Sequence, residues 1–134
     1  PHIVGKMDAL TTVYAEGTAI KELPPSIGNL SGLEDLNISS CKSLTKLPNS
    51  LLTLQNLNTL VLEGCQLRGR TPLKKLMQES QQVTSCTNLE YLDLGNCGLS
   101  DEDVFLILKC FQNVQELILS RNNLVSLPEC IKEC

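Results

Sequence analysis

The chain has 134 residues and a mass of 14.7 kDa, the size of one domain, and its net charge of −4 with a pI near 4.9 disfavours nucleic acid as a partner. Hydrophobic residues make up 42% and charged residues 19%, which excludes a disordered chain, and no apolar run approaches the ~18 residues of a membrane helix. Leucine accounts for 26 residues, whereas all aromatics together are Tyr14, Tyr91, Phe105 and Phe111, so one aliphatic packing site is used many times.

In chain order, Pro1-His2-Ile3-Val4-Gly5-Lys6 is no signal peptide and does not begin with Met. With Met7 it reads as the tail of a preceding repeat, so a piece of a longer chain is expected. His2 is the only histidine, which leaves no histidine triad and no histidine-rich metal site. Five units then align on L-x-x-L-x-L. They are Leu10-Thr-Thr-Val13-Tyr-Ala15, Leu33-Glu-Asp-Leu36-Asn-Ile38, Leu57-Asn-Thr-Leu60-Val-Leu62, Leu89-Glu-Tyr-Leu92-Asp-Leu94 and Val114-Gln-Glu-Leu117-Ile-Leu119. Every framework position is apolar. The starts lie 23, 24, 32 and 25 residues apart. That spacing is the period of leucine-rich repeats, with an insertion in 68–88. The expected fold is α/β, a right-handed leucine-rich-repeat solenoid in a single domain over 1–134 with about five repeats. Short parallel strands line the concave side, and short helices or 3₁₀ turns line the convex side.

The ninth position of each unit reads Thr18, Cys41, Cys65, Cys97 and Asn122. Such a ladder of turn residues points inward and serves backbone groups that would otherwise be buried unpaired. Seven cysteines with no C-x-x-C pair fit reduced thiols better than a disulfide framework. Return segments follow the strands. Leu23-Pro24-Pro-Ser-Ile27, Leu47-Pro48-Asn-Ser-Leu51 and Leu127-Pro128-Glu-Cys-Ile131 share L-P-x-x-(I/L), whose proline suits the first turn of a short helix. Thr71 and Pro72 open a short helix inside the insertion, beside the basic cluster Arg68, Arg70, Lys74 and Lys75. Ser100-Asp-Glu-Asp103 reads as a capping box, and Val104, Ile107, Leu108 and Phe111 follow at helical spacing.

The concave positions are the second, third, fifth, seventh and eighth of each unit, with Ser39, Gly64 and Gly95 among them. Seven are acidic and one, Arg121, is basic, so this face carries −6 while the whole chain carries −4. The residues expected to meet a partner here are Tyr14, Asp35, Asn37, Val61, Glu63, Tyr91, Asp93, Glu116 and Ile118. Acids on an exposed strand face also keep an open sheet soluble. No phosphate-binding loop occurs, and no nucleophile, base and orienting group stand outside the repeat pattern. Neither an enzyme nor a metal or cofactor site is therefore expected. Two glycosylation sequons, Asn29-Leu-Ser31 and Asn37-Ile-Ser39, would favour a secreted protein.

Glu16-Gly-Thr-Ala-Ile-Lys-Glu-Leu-Pro-Pro-Ser-Ile-Gly-Asn-Leu, followed by L-x-x-L-x-L-x-x-C units, resembles the repeats of plant disease-resistance proteins. Leu99-Ser-Asp-Glu-Asp-Val and Ser120-Arg-Asn-Asn-Leu-Val-Ser-Leu-Pro-Glu-Cys-Ile-Lys-Glu-Cys resemble later repeats of the same proteins. The class is that of Toll/interleukin-receptor-like nucleotide-binding leucine-rich-repeat immune receptors. The resemblance implies a cytoplasmic or nuclear recognition module without catalysis. Its partners would be a pathogen effector or guarded host protein and the parent's own nucleotide-binding domain, which alone would hold ADP or ATP. Two alternatives share the repeat. One is an extracellular ligand-binding domain of a receptor kinase or secreted inhibitor, and the other is an intracellular repeat scaffold.

Overall fold

The computed structural model describes residues 9–67, 88–127 and 129. Five strands form one parallel sheet in sequence order: β1 (Thr12–Tyr14), β2 (Asp35–Asn37), β3 (Thr59–Val61), β4 (Tyr91–Asp93) and β5 (Glu116–Ile118). Between them run two 3₁₀ turns, η1 (Pro25–Asn29) and η2 (Asn49–Thr53), and one α-helix, α1 (Asp101–Cys110). The register sets each framework residue opposite its equivalent: Val13 on Leu36, Leu36 on Leu60, Leu60 on Leu92, Leu92 on Leu117. This is an α/β leucine-rich-repeat solenoid. The N-terminal tail, the insertion up to Thr87 with its expected helix and basic cluster, and Cys130 to Cys134 lie outside the described residues.

A three-residue strand cannot hold a register alone. The pairing therefore runs on past the strands. At the second position Glu34 N donates to Thr11 O, Asn58 N to Glu34 O and Glu90 N to Asn58 O. Past the strands, Ala15, Ile38, Leu62 and Leu94 each donate their N–H to the following repeat, and so do Gly17, Ser40, Gly64 and Asn96. The eighth residue of all five units, Gly17, Ser40, Gly64, Asn96 and Arg121, is left-handed, with φ between 53° and 72°. Glycine adopts this conformation freely and asparagine tolerates it, whereas Ser40 and Arg121 hold it at a cost of about 1 kcal/mol each.

That bend throws the ninth side chain inward, against a carbonyl with no strand partner. Cys41 Sγ donates to Ala15 O at 3.2 Å, Cys65 Sγ to Ile38 O at 3.1 Å and Cys97 Sγ to Leu62 O at 3.1 Å. Asn122 does the same with Nδ2 to Leu94 O at 2.8 Å. Its amide also reaches Leu119 O, and its Oδ1 accepts from Cys97 N and Leu99 N. Each ninth residue thus bonds the sixth carbonyl of the repeat before it. Thr18 departs from this pattern. Lying at the β1 edge, it is exposed, and its hydroxyl donates to Ala15 O of its own unit. Burial pushes the Cys65 thiol up to about 11 and the Cys97 thiol up to about 12, so both stay protonated and able to donate.

Behind the sheet the framework leucines are fully buried, among them Leu33, Leu36, Leu57, Leu89 and Leu94. The return segments add Leu23, Ile27, Leu47 and Leu51 from the opposite side. Pro24 and Pro48 stand extended at the N-caps of these turns, where their carbonyls accept the first turn bonds from Ile27 N and Leu51 N, and Pro25 holds the first position of η1. The two 3₁₀ turns approach closely at Gly28: a Cβ there would lie 2.5 Å from Ser50 Cβ. Ser50 Oγ seals the contact by donating to Pro25 O at 2.7 Å. Asn56 and Asn88 tie successive strand entries with amide bonds to Ser31 O and Gln55 O.

The fourth return segment is α1. Its capping box is complete: Asp103 N donates to Ser100 Oγ, and Ser100 N donates to Asp103 Oδ2. Three acids occupy the first turn and Lys109 the last, both favourable to the helix dipole. Val104, Ile107 and Phe111 are buried, as one apolar face. Asp101 reaches forward one repeat, and its carboxylate accepts from Val125 N, Ser126 N and Ser126 Oγ at 2.9 to 3.0 Å. These bonds hold the Asp101 carboxyl below its ordinary range.

Two outcomes are expected. Gly28→Ala should lower stability by about 2 kcal/mol through overpacking against Ser50. Gly17→Ala, where no atom lies within 4 Å but φ is +65°, should lose only about 1 kcal/mol; denaturant unfolding compares the two. The thiol ladder should also make the fold alkali-sensitive. An unfolded thiol titrates near 9.0, whereas folded Cys65 and Cys97 titrate at about 11 and about 12. The contribution is complete below pH ~9 and is lost as pH rises through the folded values. Thermal melts across that window should fall steeply, and Cys97→Ser should alter the slope.

Candidate partner-binding face

Alternation along each strand sends the fourth residue into the core and the third and fifth outward. The register lines these outward residues into two columns. The third-position column is Thr12, Asp35, Thr59, Tyr91, Glu116, and the fifth-position column is Tyr14, Asn37, Val61, Asp93, Ile118. Eight of the nine residues singled out in the sequence therefore share two adjacent columns of one sheet face. Glu63, the ninth, stands at the turn beyond Val61. Tyr14, on the edge strand, is 72% exposed. Glu116 is exposed, and Asp35, Asn37, Val61, Glu63, Tyr91, Asp93 and Ile118 are half-buried.

Two members of the fifth column have work inside the fold. Asn37 Oδ1 accepts from Ser39 N, and Asp93 Oδ1 accepts from Gly95 N, both at 2.9 Å. Each closes the turn after its own strand. The same geometry corrects the sequence reading of the seventh and eighth positions. Ser39, Gly64 and Gly95, taken as exposed, are buried. The left-handed eighth residue ends the in-out alternation, so the turn folds down between neighbouring repeats. A Cβ on Gly95 would stand 3.2 Å from both Asp93 Oδ1 and Ser120 Oγ.

The face is electrostatically one-sided. Glu16, Glu34, Glu90 and Glu116 are exposed, and Asp35, Glu63 and Asp93 are half-buried. Among the described residues the ion pair Lys46–Glu22, at 3.4 Å, lies on the return side and engages none of them. The Tyr91 phenol is pushed up by partial burial and by the negative charges of Asp93 and Glu116. On the return side Phe105, Val125 and Leu127 are exposed, and Lys109 Nζ lies 4.3 Å from the Phe105 ring centre. Asp101, which the sequence marks only as a helix starter, joins two repeats; its partners lie a full repeat away, where no local pattern reaches. Among the described residues no group of three or more His, Cys, Asp and Glu side chains is placed to hold a metal ion. No described helix is long and apolar enough to cross a membrane.

Known proteins share this pattern. A family model described as the leucine-rich repeats of RPS4B-like disease resistance proteins matches residues 1–134. Disease resistance protein RPS4B of Arabidopsis thaliana is 33% identical over 125 residues, covering 92% of this chain and 9% of that protein. TMV resistance protein N of Nicotiana glutinosa is 25% identical, covering 99% of this chain and 15% of that protein. The chain thus spans only a small part of the relatives it matches. Among solved structures, a leucine-rich-repeat protein of Leptospira interrogans is similar at a TM-score of 0.42 and 20% identity, covering 99% of this chain and 43% of that one. The match over the full chain and the identity to RPS4B place it plainly: this chain belongs to the leucine-rich-repeat region of RPS4B-like plant disease-resistance proteins, of the Toll/interleukin-receptor-like nucleotide-binding class.

Proposed function

We propose that this chain is the protein-recognition segment of an intracellular immune receptor, sensing a pathogen effector or a guarded host protein. The same segment restrains the parent's nucleotide-binding domain until a ligand engages. The observation that carries this reading is the division of labour within each repeat. The first, fourth, sixth and ninth positions build the core and the ladder. The third and fifth stand outward on the parallel sheet, and apart from the turn bonds of Asn37 and Asp93 they take no part in either. A parallel sheet normally has both faces covered, and one that the described residues leave open is suited to a partner. The segment has no catalytic role and needs no cofactor. ADP or ATP belongs to the parent's nucleotide-binding domain. The site of action is the cytoplasm or nucleus.

An extracellular domain is the competing reading. Two features favour the intracellular one. Cys41, Cys65 and Cys97 are free and buried, and their hydrogens serve backbone carbonyls. The sequon at Asn37 has its side-chain oxygen bonded to Ser39 N, and Ser39 is buried.

The test is made in the full-length receptor. Tyr14→Ala, Val61→Ala and Ile118→Ala combined should abolish the triggered defence response at unchanged protein level. The same triple variant should alter resting activity if the face also touches the nucleotide-binding domain. Lys46→Ala, on the return side, should leave both as they are. An undiminished response in the triple variant would overturn the reading.

A further inference from the structure

We infer that the strand face docks a basic protein segment whose arginine lies over the Tyr91 ring, between the carboxylates of Asp93 and Glu116. This deepens the recognition reading above and rests on it. The register sets Tyr91 beside Thr59 on one flank and Glu116 on the other, with Asp93 two residues along the same strand. Neighbouring strands lie about 4.8 Å apart, and same-face residues of one strand about 7 Å apart. Both carboxylates therefore stand within a side chain's reach of a cation held over the phenol. Val61 and Ile118 occupy the diagonals and supply apolar surface for the arginine stem. Thr59 is small and leaves one flank of the ring accessible.

The wider field has the same sign. Glu34, Glu90 and Glu63 stand on the same face, and among the described residues at its outward positions Arg121 is the one cation. Like charges gathered on adjacent strands repel one another and gain nothing within the fold. A basic partner relieves that repulsion and is steered toward the face, while acidic or phosphorylated partners are turned away.

Arginine suits this centre better than lysine. Its planar guanidinium stacks on a ring while its N–H groups serve two carboxylates together. A lysine ammonium offers one point charge. The Tyr91 phenol is raised first by desolvation and then by the charges of Asp93 and Glu116, in keeping with the two carboxylates standing near it.

The test uses the 134-residue chain and fluorescein-labelled nona-arginine, read by anisotropy at low salt, with nona-lysine and nona-glutamate beside it. Saturable binding of nona-arginine, weaker binding of nona-lysine and none of nona-glutamate are expected. Tyr91→Leu should weaken nona-arginine binding about fivefold, and Tyr91→Phe, which keeps the ring, should not. Glu116→Gln should weaken it about threefold. Glu129→Gln, an acid off the face, should have no effect. Circular dichroism melts confirm that each variant is folded. The inference is overturned if nona-arginine does not bind, if folded Tyr91→Leu and Glu116→Gln bind as the parent does, or if Glu129→Gln weakens binding as much as Glu116→Gln. Those results would leave the receptor reading standing, because a receptor face that recognises an uncharged partner still depends on Tyr14, Val61 and Ile118.

Discussion

One hydrogen bond, repeated from unit to unit, ties the turns of this chain to the register of its strands: the ninth side chain of the second to fifth repeats to the sixth carbonyl of the repeat before it. The carbonyl lies where the strand has ended and the chain turns, so no ladder partner reaches it. A carbonyl left unpaired in a leucine core would cost about 1–3 kcal/mol; Ala15 O and Leu62 O also accept from Thr18 Oγ1 and Cys65 N of their own units. A donor is therefore required at one place, and it must be small. Cysteine meets the requirement with one weak bond, and Asn122 meets it with an amide that bonds both adjoining backbones. Because the bond crosses between repeats, it couples the stacking of the turns to the register that the backbone pairing holds.

The same constraint explains what the sequence makes legible. Leu33, Leu57 and Leu89 announce the period because the core accepts one side-chain shape at each point. The ninth position is visible because few residues can fill it. The eighth is not, although all five share one backbone conformation. Gly17 and Gly64 advertise a left-handed residue, but Ser40 and Arg121 give no such signal, since the turn imposes the conformation and the stack sustains it. Reading the strand alternation past this bend places Ser39, Gly64 and Gly95 on the surface, where they are not. The link from Asp101 to Val125 and Ser126 is invisible for another reason. An aspartate in the first helical turn already satisfies a local rule, so its long-range partner leaves no trace in spacing or composition.

The face shows how a repeat can be rigid and variable together. Its outward residues are held to a grid by backbone bonds that take no account of side chains. Tyr14 can become Asn37, Val61, Asp93 or Ile118 at the equivalent place with no change in register. The grid is not wholly free. Asn37 and Asp93 close their own turns, so a partner reaching them must share an oxygen already in use. The third column, with Tyr91 and Glu116, has fewer such duties, and the clearest recognition chemistry lies there.

The return side decides how that grid is bent. Strands stack about 4.8 Å apart, and anything thicker behind them forces curvature. The two 3₁₀ turns are slender and close together, with Gly28 against Ser50. At the fourth repeat a ten-residue α-helix takes their place, wider in section than a 3₁₀ turn. A thicker element behind β4 favours separation of the backs of neighbouring repeats while β4 and β5 remain at bonding distance, which inclines their outward side chains, Tyr91 and Asp93 on one strand and Glu116 on the other, toward one another.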